Sequence, residues 1–191
     1  KPEMRVRLKK IIRSVEQTNR SSAQLLEHAM VLYRAEKKER EKCKVNQIIE
    51  KIIDNYRPAA DLRDIKIEVK LLTSKDITIL LDRTLLELAL RNLIDNAIKY
   101  SPAEDIISIY SDLAENNQYK ISIENRSEKS IELNKEQLFK RFSRGTNHND
   151  IIGTGLGLAI ASEAVRALKG KINIEIQKGK KLCAILQLPL F

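Results

Sequence analysis

Residues 3–41 carry an apolar pattern that a lone helix cannot bury. Leu8, Ile11, Val15, Thr18, Ser22, Leu25, Ala29 and Leu32 alternate spacings of three and four, which is a heptad seam. Ile12, Leu26 and Tyr33 add a second stripe, so the face is wider than a two-stranded seam. Pro2 fits a first helical position, where its missing N–H costs nothing. A helix of this length is roughly 60 Å long and has no core of its own. Partner helices must cover it, and a four-helix bundle formed by two copies is the natural solution. Thr18 and Ser22 leave the middle of the seam polar and loosely packed.

The same segment holds most of the chain's charge. The net charge is +9, with 13 Lys and Arg against 6 Asp and Glu in residues 1–44, and 22 against 20 in the remainder. A basic helix can bind phosphate backbones or anionic membrane. Here acids are interspersed, which favours a solvated face over a nucleic-acid surface. The remaining composition suits one domain plus an extra element: 191 residues, 42% hydrophobic and 32% charged. Aromatics make up only 4%, with no Trp, which argues against a base-stacking or carbohydrate surface. Cys43 and Cys183 form neither a disulfide framework nor a metal-ligand spacing. No apolar run approaches the roughly 20 residues that span a bilayer.

Charged residues from Glu36 to Lys44 mark a boundary, dividing the chain into 1–44 and 45–191. Val45, Ile48, Ile49, Ile52, Ile53 and Tyr56 predict a second helix ending near Pro58. Ile65, Ile67, Val69 and Leu71 alternate with polar residues and predict a half-buried strand. Residues 82–100 read as an apolar helix, followed by strands over 107–113 and 119–125. A short helix is predicted over 135–142 and a longer one after the glycines to about Lys169. Strands over 171–177 and 181–188 turn at Lys178-Gly179-Lys180. Strands joined by tight turns imply a mixed sheet with helices on one face, a two-layer α/β sandwich.

Three constellations carry chemistry. In Arg91-Asn92-Leu93-Ile94-Asp95-Asn96-Ala97-Ile98-Lys99-Tyr100-Ser101, the side chains of Asn92, Asn96 and Lys99 fall within roughly 60° of helical arc. Leu86, Leu90, Leu93 and Ala97 point the other way. Asn carbonyls are hard oxygen ligands suited to Mg²⁺, and Lys suits a phosphate. Gly153-Thr154-Gly155-Leu156-Gly157-Leu158 precedes a helix, where glycine admits close backbone approach and free N–H groups attract an anion. It is neither a dinucleotide fingerprint nor a Walker loop. In Phe139-Lys140-Arg141-Phe142-Ser143-Arg144, two aromatics anchor a polar loop and Arg144 stands ready for a phosphate. Each set alone also has a structural reading.

In this order, the three sets resemble the N, F and G2 boxes of the catalytic ATP-binding domain of bacterial sensor histidine kinases, a Bergerat-type fold shared with gyrase. The resemblance covers residues 45–191, and the long helix before them resembles the second helix of the family's dimerisation hairpin. It implies that Asn96 holds Mg²⁺ with Asn92 beside it. It implies further that Lys99 contacts phosphate, that Tyr100 lines the nucleotide pocket and that Arg144 belongs to a lid reaching Ile152. Gly153, Thr154, Gly155, Leu156, Gly157 and Leu158 would wrap the triphosphate of ATP. The implied reaction is γ-phosphoryl transfer to a histidine, then to an aspartate of a response-regulator receiver domain. The implied parent is a membrane-anchored homodimer without a nucleic-acid partner, and this part of it is cytoplasmic.

Two departures from that pattern matter. The family's adenine-reading Asp-x-Gly-x-Gly falls on Asn125-Arg126-Ser127-Glu128-Lys129. Asn125 should still point inward with Tyr119, Ile121 and Ile123, but without charge assistance, so weaker ATP binding is expected. The phosphoacceptor box is missing: His28 is followed by Ala29-Met30, and His148 falls in the lid loop. His28 is read as a helix-surface or bundle-flank residue, and the phosphoacceptor is expected upstream of Lys1. The rival reading is a nucleotide-impaired module that dimerises and docks a regulator.

Overall fold

The computed structural model describes residues 2–72, 77–114, 117–127, 138–139, 155–177 and 181–190. The first helix, α1, spans Pro2–Lys37. It stops four residues short of the expected end, because Glu41–Lys44 form a strand, β1, and not a charged helical tail. Helix α2 (Val45–Asp61) follows directly. It runs through Pro58, where an end was expected. Proline gives up its own N–H bond and crowds the carbonyl four residues earlier, but leaves the hydrogen bonds of later residues intact. Leu62 N–H still bonds Pro58 O at 3.2 Å, and Ile65 N–H bonds Ala60 O at 3.0 Å.

Strands β2 (Lys66–Lys70) and β3 (Thr78–Leu81) lead to α3 (Arg83–Tyr100). After it come β4 (Ile106–Ala114), β5 (Gln118–Arg126), α4 (Gly157–Ala167), β6 (Lys171–Gln177) and β7 (Lys181–Pro189). The main sheet has the order β2-β4-β5-β7-β6. Only β2 and β4 run parallel, joined across α3, and the other neighbours are antiparallel. β1 and β3 form a separate antiparallel pair, in the register Glu41 with Leu81 and Lys44 with Thr78.

Helices α2, α3 and α4 cover one face of the main sheet, giving the expected two-layer mixed sandwich behind a long helix. The core joins Ile49 and Ile53 of α2, Leu86, Leu90 and Ile94 of α3, Ile160 and Val165 of α4, and Ile107, Ile121 and Leu186 of the sheet. The buried Tyr119 hydroxyl is satisfied by Asn46 Oδ1, whose Nδ2 donates to Leu72 O at 2.9 Å. α1 lies on the outside of the helix layer, against α4 and α3. Among the described residues, no helix is long and apolar enough to cross a membrane.

Candidate functional site

The site begins with the capping of α3. Asp82 is its N-cap and accepts from Leu85 N–H at 3.1 Å. At the far end, Arg63 donates to Ser101 O at 2.9 Å and to Ile98 O, placing a cation at the helix C-terminus. Pinned at both ends, α3 turns Leu86, Leu90, Leu93 and Ala97 into the core. Asn92 and Asn96 of the predicted arc then meet the start of α4.

Asn92 is only 8% exposed. Its Nδ2 donates to Leu88 O at 3.0 Å, back-bonding within the helix. Its Oδ1 faces Gly157, the first residue of α4. A Cβ added at Gly157 would lie 3.0 Å from Asn92 Oδ1 and 3.6 Å from Asn96 Nδ2. The glycine therefore allows the α4 backbone to sit on the two carboxamides. Gly155 takes a φ of 73°, a left-handed conformation that favours glycine. Leu156 is the α4 N-cap and supplies no side-chain hydrogen bond, so its side chain caps none of the first-turn N–H groups. Leu156 is buried and Leu158 packs against the core, which makes both anchors of this turn.

Lys99 pairs with Asp95 one turn earlier. Tyr100 is half-buried at the helix end. Asn125 is 7% exposed, on the helix-facing side of β5 with Tyr119, Ile121 and Ile123. Its Nδ2 donates to Arg126 O at 2.8 Å, and its Oδ1 is an acceptor in kind. Ser127 is buried beside it in sequence. Phe139 is half-buried. Arg144, Gly153, Thr154, Lys129, Phe142 and His148 lie outside the described residues, as do most of the predicted 135–142 helix and the lid.

Among the described residues, no group of three His, Cys, Asp or Glu side chains is placed to hold a metal. Carboxamide oxygens are hard donors that can hold a divalent ion beside a ligand's phosphates. The paired carboxamides of Asn92 and Asn96, kept open by a residue without a Cβ, fit that role. Thiolate chemistry does not belong here. Burial raises the pKa of both free cysteines, and that of Cys183 is pushed up to about 11 by burial and then by Glu124 and Glu175.

One part of the site was not foreseen. Glu27 of α1 accepts from Asn92 Nδ2 at 3.4 Å, and its other oxygen lies 3.7 Å from Arg91. His28, expected on the helix surface or a bundle flank, instead faces α4, with Nε2 2.7 Å from Glu163 Oε2. No sequence signal marks these contacts, because they depend on which side of α1 docks.

A family profile described as "Histidine kinase-, DNA gyrase B-, and HSP90-like ATPase" matches residues 81–191. The sensor-like histidine kinase SenX3 of Mycobacterium tuberculosis is 33% identical over 147 residues, covering 76% of this chain and 35% of that protein. The sensor histidine kinase HprS of Escherichia coli is 34% identical over 152 residues, covering 78% and 32% respectively. The chain thus spans about a third of the length of these relatives. The solved histidine kinase AdeS of Acinetobacter baumannii has the same fold, with a TM-score of 0.73 at 24% identity over 96% of this chain and 83% of that one.

Proposed function

Because this chain belongs to the family of histidine kinase-, DNA gyrase B- and HSP90-like ATPases, as a sensor-kinase catalytic domain with its preceding helix, we propose the following division of labour. ATP binds over the α3–α4 junction, with its phosphates toward the first-turn N–H groups of α4 and its adenine amino group toward Asn125 Oδ1. Asn96, with Asn92 beside it, holds Mg²⁺, which supplies charge neutralisation for the phosphates when bound. Lys99 contacts a phosphate by leaving or sharing Asp95. Arg144, Gly153 and Thr154 belong to the lid and loop that cover the triphosphate.

The γ-phosphoryl then passes to an imidazole nitrogen on a helix outside this chain. A P–N bond forms as the bond to the bridging oxygen of ADP breaks, and the imidazole loses its proton. The phosphoryl group next moves to an aspartate of a response-regulator receiver domain. The protein's share of this chemistry is positioning and electrostatics. The parent is a membrane-anchored homodimer joined through α1, and this part of it is cytoplasmic.

The observation that carries the reading is the contact of Asn92 and Asn96 with Gly157 at a helix start without a side-chain cap. Calorimetric titration of ATP with and without Mg²⁺, on wild type and Asn96→Ala, tests it. Binding that requires Mg²⁺ and weakens at least tenfold in the variant is the expected result. A specific observation favours the second reading: Asn125 stands where the family has Asp, with one amide hydrogen already committed to Arg126 O. No binding at millimolar ATP would leave the nucleotide-impaired docking module as the function.

A further inference from the structure

Glu27 comes from outside the catalytic fold and reaches its most conspicuous polar face. The α1 residues turned toward the domain are Gln24, Glu27, His28, Val31, Arg34 and Ala35, a stripe at helical spacing that is at least partly buried along its length. Two hydrogen bonds and one close polar approach fix the stripe in one orientation. Arg34 donates to Asp82 Oδ2 at 2.8 Å, His28 Nε2 lies 2.7 Å from Glu163 Oε2, and Glu27 accepts from Asn92 Nδ2 at 3.4 Å. The facing atoms of His28 and Glu163 are both buried. Asn92, in turn, directs its oxygen at Gly157. A carboxylate therefore sits one side chain away from the start of α4. Arg91, 3.7 Å from Glu27, is more than half exposed and offsets that charge only in part.

We propose that Glu27 is an affinity-setting residue of the nucleotide site, contributed by the docked helix, so that α1 docking and polyphosphate binding oppose one another. The inference rests on the reading of this site as one for ATP. A polyphosphate at the α4 start carries charge of the same sign as Glu27, close by and partly shielded from water. It also competes for Asn92, whose Nδ2 the carboxylate engages. Binding free energies are reciprocal, so ATP must loosen the docked helix by the same factor by which docking weakens ATP.

The experiment is ATP titration in Mg²⁺ of the 191-residue chain and three variants. Glu27→Gln keeps an acceptor for Asn92 and removes the charge. His28→Ala weakens docking without touching the site. Glu16→Gln makes the same charge change on the exposed, undocked part of α1. Glu27→Gln is expected to lower the Kd for ATP about threefold to tenfold, His28→Ala is expected to lower it too, and Glu16→Gln is expected to leave it unchanged. Hydrogen exchange over residues 21–35 should rise on ATP addition in wild type, and by less in Glu27→Gln. If wild type binds ATP and Glu27→Gln binds equally or more weakly, or if Glu16→Gln shifts as much, the inference is overturned and the ATP reading survives. Absence of binding in all four chains overturns both.

Discussion

At the scale of single residues, Gly157 separates folding from binding. It occupies the first turn of α4, where alanine is the better helix former by roughly 1 kcal/mol. The gain in helix propensity at this end position offsets only part of the cost of moving Asn92, so Gly157→Ala should change the denaturation midpoint little. The new methyl group, 3.0 Å from Asn92 Oδ1, must displace a side chain tied to Leu88 O and Glu27. ATP affinity should drop by an order of magnitude in the same variant. Chemical denaturation beside calorimetry checks the pair of outcomes, and parallel losses of stability and affinity would count against the assignment. Asn92, Asn96 and Gly157 were legible in the sequence because each lies on a local pattern: an arc of helix, or a glycine before a helix. The pairing of Lys99 with Asp95 was not foreseen, although the spacing of four permits it, and the folded chain shows it formed. Glu27 was not legible, because its role depends on a contact 65 residues away in the chain.

Among the elements, Asp82 joins two helices through one side chain. One oxygen caps α3 and the other accepts from Arg34 of α1. Asp82→Ala removes both and leaves Arg34 with the more exposed Glu39 at 3.5 Å. A loss of about 1–3 kcal/mol is expected, read as a lower urea midpoint at constant m-value. Asp82→Asn keeps a good capping group and gives up the ion pair, so it should recover about half of that loss. Equal losses in the two variants would mean that the cap contributes nothing. The same region shows why strands were missed. β1 buries only Cys43 among charged residues, and in four residues a period of two has no room to declare itself. β3 follows a break in the pattern and runs straight into the apolar start of α3, so its alternation merges with the helix. Each strand exists because the other covers it, a non-local pairing that composition does not carry. The main sheet was readable because its strands are longer and alternate, and two of its four pairs close across short connections.

For the molecule as a whole, α1 presents two separate faces. The docked stripe lies against α3 and α4, while Leu8, Ile11, Val15, Leu25 and Leu32 of the heptad seam are all more than half exposed. Residues 3–20 contain no buried position, so about half of the helix has no packing of its own. Isolated helices of that length are marginal in water, because packing and not propensity supplies most helical stability. In a single copy this half should fray, and in a dimer it should gain both partner and order. Each large apolar side chain fully buried there contributes about 1.5–3 kcal/mol, and the seam offers several per copy. Association should therefore appear as helicity that rises with protein concentration, in step with a mass moving from 21.9 kDa toward twice that value. Val15→Asp places a charge on the seam and touches nothing in the catalytic fold. It should hold the chain as a monomer with lower helicity while leaving Mg²⁺-dependent ATP affinity unchanged. Sedimentation velocity and circular dichroism over a concentration series make the comparison. A wild-type chain that stays monomeric and fully helical at every concentration would show that α1 is stable alone and that its seam serves something other than a second copy.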